Sequence, residues 1–376
     1  MATRDVGGDA REWDEDAYRR TILRCRERGA RTVFRTAFAP SESHKPEIVV
    51  AASSDGSIAC YSLASCISSA AQVRNGVDGL LAKPIAVIEG HKGPAYDLKF
   101  YGDGKEALLF SCGDDGRIRG WKWLDVLNSE VPVAIQGSHL DPILDLVNPQ
   151  HEGPWGAQSP VPENNAIAIS KQDGSIFSAA GDACAYCWDV ETGKRKMVFK
   201  GHSDYLHCVV ARESSNQIIT GSEDGSARIW DCRNGLCTQV IYPEKSHKLK
   251  ETSWVSCLAI DTSESWLVCG TGRNLSVWSL LSCECIFNID SHAPFQDVSF
   301  GGNQILAVGS EPILRCYSIN GKSLSKIQCA PQSAFSVSFH SSGVIAIGGY
   351  GGFVDVLSEF GSHLCVFSCG GLDRDL

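Results

Sequence analysis

Along this 376-residue chain a turn residue keeps recurring six positions ahead of an aromatic. Asp55 leads to Tyr61 in DGSIACY, Asp115 to Trp121 in DGRIRGW, Asp182 to Trp188 in DACAYCW, Asp224 to Trp230 in DGSARIW and Glu311 to Tyr317 in EPILRCY. Two further units keep the offset in weaker form: Gly272 to Trp278 in GRNLSVW, and Gly351 to Leu357 in GGFVDVL. The anchors at 188, 230, 278, 317 and 357 fall 39 to 48 residues apart. A fixed period of this size marks a stack of similar supersecondary units, because one unit cannot bury both of its own faces. The earlier gaps are longer, so insertions lie in the first third of the chain.

Short β-like runs flank each anchor. Around Trp230 the runs 204–212, 216–222, 225–231 and 236–242 are separated by turn residues, giving four strands. The same pattern yields units near 31–90, 95–138, 165–200, 204–242, 254–289, 294–328 and 334–368. Seven four-stranded units of this length read as an all-β, seven-bladed propeller spanning 31–370, preceded by a 30-residue extension with a short helix. The last unit owns an outer run at 363–368, which predicts sequential blades with no N-terminal strand completing blade seven. Within the extension, 14–28 is helical in pattern, with Tyr18, Ile22 and Cys25 on one face and Gly29 as a stop signal. Insertions are expected near 66–82, which is Ser/Ala/Gly-rich, and near 139–164. The second holds prolines at 142, 149, 154, 160 and 162, with Trp155 among them.

Charge narrows the range of partners. The formal net charge is -10, and a chain this acidic has no global field for holding nucleic acid phosphates. The 17 cysteines, an odd number, come without an apolar leader segment, which points to buried thiols in a reducing compartment. No stretch reaches the length of a membrane span. There is no P-loop lysine motif, no G-x-S-x-G elbow and no H-E-x-x-H, so neither catalysis nor a cofactor is expected.

Two units carry a polar set: His91, Ser111, Asp115 and Trp121 in blade two, and His202, a strand Ser or Thr, Asp224 and Trp230 in blade four. This order resembles the WD-repeat family, in which a Gly-His before the blade and a Trp-Asp ending its third strand are the signature. The resemblance implies hydrogen bonding across one blade, and so a structural role. The segment 218–233, IITGSEDGSARIWDCR, also resembles the DWD box of substrate receptors of cullin-4 ubiquitin ligases. That likeness implies contact with the damaged-DNA-binding adaptor through Trp230, Asp231 and above all Arg233, although an Arg here also ends ordinary blades. Cys184 and Cys187, three apart on a strand, point to opposite faces and so suit a core better than a metal site. Arg19, Arg20, Arg24, Arg26, Arg28 and Arg31 follow Asp14, Glu15 and Asp16, an order that complements a helix dipole and alternatively suits docking to an acidic partner or RNA. Trp155 is a candidate loop anchor.

The stretch 175–233 narrows the resemblance. AAGD at 179–182, DVETG at 189–193, GHSDYLHC at 201–208 and GSEDG at 221–225 are similar to the motifs of the subunit 6 family of the THO complex. So is SWVSCLAIDTSESWLVCGTG at 253–272. The resemblance implies a non-enzymatic scaffold in the nucleus, with THO/TREX subunits as partners and RNA contacted only indirectly, in the assembly that couples transcription to mRNA export.

Overall fold

The computed structural model describes residues 14–41, 43–72, 81–129, 140–243 and 254–369. Seven sheets follow one another in chain order, each built of four antiparallel strands in sequence order, and the last of them carries one added strand from early in the chain. Blade one comprises Val33–Phe38, Ile48–Ser53, Ser57–Ser62 and Ala86–Glu89. Blade four comprises Leu206–Arg212, Gln217–Ser222, Ala227–Asp231 and Cys237–Ile241. The first strand of every blade lines a central channel of about 1010 Å³. The chain is a seven-bladed propeller.

The strand sequences show why the blades stack. In IVVAAS (Ile48–Ser53), Val50 and Ala52 point into a cluster shared with blade two, whereas Val49 and Ala51 point into one shared with blade seven. Alternation with period two thus feeds two cores at once, and both faces must be apolar. Seven buried clusters fill the seven seams in this way. Cys184 and Cys187 follow the same rule: the first packs between blades two and three, the second between blades three and four.

Polar links at the innermost strands reinforce the seams. Asp97 of blade two accepts the Ile167 amide of blade three at 3.0 Å, and Asn165 donates to the Leu206 carbonyl of blade four at 2.8 Å. Ser256 of blade five donates to the Phe295 carbonyl of blade six at 2.9 Å. Asp297 of blade six accepts the Val337 amide of blade seven at 2.8 Å, and Thr36 meets Ser336 across the closing seam at 3.0 Å.

Blades one and two depart from the plain four-strand hairpin order. Helix α1 (Glu15–Ala30) precedes blade one; α2 (Leu63–Gln72) and α3 (Trp123–Asn128) each follow the third strand of their blade. The outer strand of blade two is Leu144–Val147, not a run ending at 138, so it lies inside the stretch expected to be a connection. The intervening residues 130–139 fall outside the described ones. The local reason is that α3 displaces the fourth strand along the chain. Blade seven carries its own outer strand, His363–Cys369, and a fifth strand is added outside it. That strand is Leu81–Ala82, from the blade-one insertion, and it pairs in parallel with Ser368 and Cys369. Leu63 and Cys66 of α2 pack beside Cys365, Phe367 and Cys369, and Arg31 donates to the Cys369 carbonyl at 3.0 Å.

Candidate functional site

The recurring Asp sits in the turn between the second and third strands. There its carboxylate accepts the backbone N–H two residues on: Asp55 from Ser57, Asp115 from Arg117, Asp182 from Cys184 and Asp224 from Ser226. This local bond favours Asp at a turn. The next residue takes a left-handed φ, supplied by Gly56, Gly116 and Gly225, but by Ala183 (φ 64°) in blade three.

Blade four assembles a continuous chain. Trp230 Nε1 donates to Thr220 Oγ1 at 2.8 Å, Thr220 meets His202 Nε2 at 2.8 Å, and His202 Nδ1 meets Asp224 Oδ2 at 2.8 Å. Burial alone would raise the Asp224 carboxyl, but hydrogen bonds from Ser226 and His202 outweigh it and hold the pKa at about 2. In blade two His91 bridges Asp115 at 2.8 Å and Ser111 at 2.7 Å, and Asp115 is likewise held at about 2. Trp121 stands outside this set: its indole N–H turns to the Leu140 carbonyl at 3.3 Å. Blade three holds more than its sequence suggested. Trp188 donates to Ser178 at 3.3 Å, and His151, from the long connection, reaches Asp182 at 2.6 Å. His91 and His202 are buried, and their bonds tie the segment before each blade to its second strand and to the turn that follows. Among the described residues no group of three or more His, Cys, Asp or Glu is placed to hold a metal ion.

Sequence reasoning missed a buried charge cluster that joins three blades. Arg35 of blade one lies 2.8 Å from Asp97 and 2.7 Å from Asp297. Burial would penalise the guanidinium, yet the two carboxylates drive its pKa upward, and Arg35 with Lys99 holds Asp97 below its usual range despite burial. The three residues sit in blades one, two and six and share no short motif, so spacing could not have found them. Their position on first strands was the available signal.

The surface candidates lie elsewhere. Arg233 is 70% exposed and forks onto its own Asp231, with Nε and Nη2 each 2.9 Å from a carboxylate oxygen, while Trp230 is buried. Trp155 tops the 148–163 connection with φ 67° and its side chain wholly in solvent, at 103% relative exposure. The base of that connection is tied by Asn148 to Pro162 and Asn164, and its arms by Gln150 to Ser159. In α1, Tyr18 and Leu23 are exposed and Ile22 is half-buried. Among the described residues no helix is long and apolar enough to cross a membrane.

A ring of seven four-stranded blades with the Trp–Thr–His–Asp chain defines a WD-repeat β-propeller. The WD domain, G-beta repeat family matches residues 82–122, 193–231 and 239–279. The chain is 56% identical to THO complex subunit 6 of Arabidopsis thaliana, over 97% of this chain and 100% of that protein. It is 30% identical to the THO complex subunit 6 homolog of Danio rerio, over 88% and 94%, and 28% identical to THO complex subunit 6 of Homo sapiens, over 81% and 82%. The chain belongs to the THO complex subunit 6 family.

Proposed function

We propose that this protein is a non-enzymatic scaffold subunit of the nuclear THO/TREX assembly, coupling transcription and mRNA processing to export. The likeness to the Arabidopsis thaliana protein carries the reading, because it runs over almost the entire length of both chains and so includes the loops as well as the repeats. The geometry is compatible with it: the buried His–Asp pairs hold strands, and several large apolar side chains are exposed on the frame of blades. Trp155 is the most prominent of these, since a tryptophan held at a braced loop tip suits insertion into a partner's pocket. The partners are other THO/TREX subunits, and RNA is reached through them.

Docking to a cullin-4 adaptor draws no support from the relatives, all THO subunits in the near range. It would also require Arg233 to leave a bidentate partner within its own turn. Affinity purification from nuclear extract tests the proposal. THO subunits are expected with the wild type and equally with Arg233→Ala; their absence from the wild-type eluate would overturn the scaffold reading.

A further inference from the structure

In all seven blades the pairing of the first strand with the second slips at the same place, leaving the second residue of the first strand with no partner opposite. A bulge of this kind re-aims its side chain. All seven bulge residues line the central channel, at the end where the second strand turns into the third. Asn165 and Ser256 donate to carbonyls of the next blade. Phe335, Phe34 and Tyr96, from blades seven, one and two, form a continuous half-buried aromatic wall instead. Their rings meet edge to face, Phe335 to Phe34 with centroids 5.7 Å apart and Phe34 to Tyr96 at 5.3 Å.

Carboxylates adjoin this wall where it reaches blade two. The Tyr96 hydroxyl donates to Asp114 Oδ1 at 3.1 Å; Asp114 is exposed, and its Oδ2 has no donor among the described residues. Asp114 directly precedes the recurring Asp of its blade. In blade four the matching residue is Glu223, which meets the bulge residue His207 at 2.9 Å. In blade three it is Gly181, and Glu163 fills the room that glycine leaves: a Cβ on Gly181 would lie 2.3 Å from the Glu163 carboxyl carbon. Burial, then the charges of Asp114 and Glu163, push the Tyr96 hydroxyl up to about 12. Among the described residues no Lys or Arg pairs with Asp114, Glu163 or Glu223. Arg35, next to Phe34 in the chain, is already held by Asp97 and Asp297.

We infer that this rim of the channel is a docking site for an arginine side chain on an exposed segment of another protein. Its stem lies along the Phe335–Phe34–Tyr96 wall, and its guanidinium meets Asp114 and Glu163. An aromatic face attracts a cation, and the flat fork of arginine both stacks on a ring and bonds a carboxylate, which the compact head of lysine does less well. Charge selects the occupant. An acidic or phosphorylated segment would face three carboxylates on a chain of net charge -10. The inference adds a site to the scaffold reading and rests on it for the partner's being a protein.

The test uses the full chain and labelled seven-residue peptides of glycine and serine around one central arginine or citrulline, titrated by fluorescence anisotropy. The arginine peptide is expected to bind at least about tenfold more tightly than the citrulline one, which keeps the shape and drops the charge. The double substitution Asp114→Asn/Glu163→Gln should erase that preference; both changes conserve shape, and the new amide oxygen can still accept from Tyr96. Phe34→Leu keeps the apolar bulk and should weaken the arginine peptide about threefold through loss of the ring face. Glu191→Gln, exposed beyond the far end of the third strand of blade three, should change nothing. Thermal melting confirms that each variant is folded. Equal affinity for arginine and citrulline, or a preference untouched by the double substitution, overturns the proposal. So does an equal loss in Glu191→Gln, because net charge alone would then account for binding. If THO subunits still co-purify with the chain, any of these results removes this site and leaves the scaffold reading standing.

Discussion

His202 Nδ1 lies 2.8 Å from Asp224 Oδ2, while His151 Nε2 lies 2.6 Å from Asp182 Oδ2, yet only the first pair is buried at both ends. The His202 side chain is essentially enclosed and also meets Thr220, so its loss removes one partner from each of Thr220 and Asp224 and leaves a buried gap between them. His202→Ala is expected to cost about 2–3 kcal/mol in urea denaturation, and His151→Ala less than about 0.5 kcal/mol. Equal costs would show that burial does not rank the two pairs.

The same pair gives the stability a pH dependence. His202 sits between Thr220 and Asp224, each 2.8 Å away. Burial disfavours the doubly protonated ring and, against the attraction of Asp224, lowers the His202 pKa below its ordinary value of about 6.5. The unfolded chain therefore binds this proton first, and stability falls as pH drops below about 6.5. Asp224, held at about 2, adds a loss in the same direction from about pH 4 downward. The melting temperature is expected to fall steadily from pH 7.5 to 5, and His202→Gln should flatten that slope. An unchanged slope in the variant would assign the effect to other groups.

Arg35 neutralises two buried carboxylates from different blades. Arg35→Ala leaves Asp297 without a cation and Asp97 with Lys99 alone, at 3.3 Å, at an expected cost of about 3–5 kcal/mol. Arg35→Ala combined with Asp97→Asn and Asp297→Asn should recover much of that loss, since the amides can still accept the Ile167 and Val337 N–H groups. Chemical denaturation of the three-residue variant against the single one decides it.

Ala183 occupies the left-handed turn position that glycine fills in blades one, two and four. A Cβ there costs about 1 kcal/mol, partly offset by the greater freedom of glycine in the unfolded chain. Ala183→Gly is expected to raise stability by about 0.5 kcal/mol, readable as a higher melting temperature. A decrease would mean that the Ala183 methyl makes contacts worth more than the strain.

The blade count and the two His–Asp pairs were legible in the sequence because both rest on short-range order. The Asp of DGRIRGW and DGSARIW bonds an amide two residues away, and its His stands 24 residues upstream in the first and 22 in the second. What the sequence hid was long-range. Arg35 meets an aspartate 262 residues away, and no local pattern encodes that meeting. The outer strand of blade two, Leu144–Val147, lies beyond the expected end of its unit at 138, because α3 follows the third strand and no repeat motif marks the strand that comes after it. Trp121 kept the motif but found another acceptor, since a six-residue offset fixes where an indole sits and not where its N–H turns.

The overlay of Leu81–Ala82 on Ser368 and Cys369 has a consequence in time. During translation, the early segment leaves the ribosome when the strand it will cover has yet to be made. The first blade therefore waits, with one flank of its core open, until the last residues emerge. A product cut short before residue 363 lacks Cys365, Phe367 and Cys369, the part of that seam against which Leu63 and Cys66 pack.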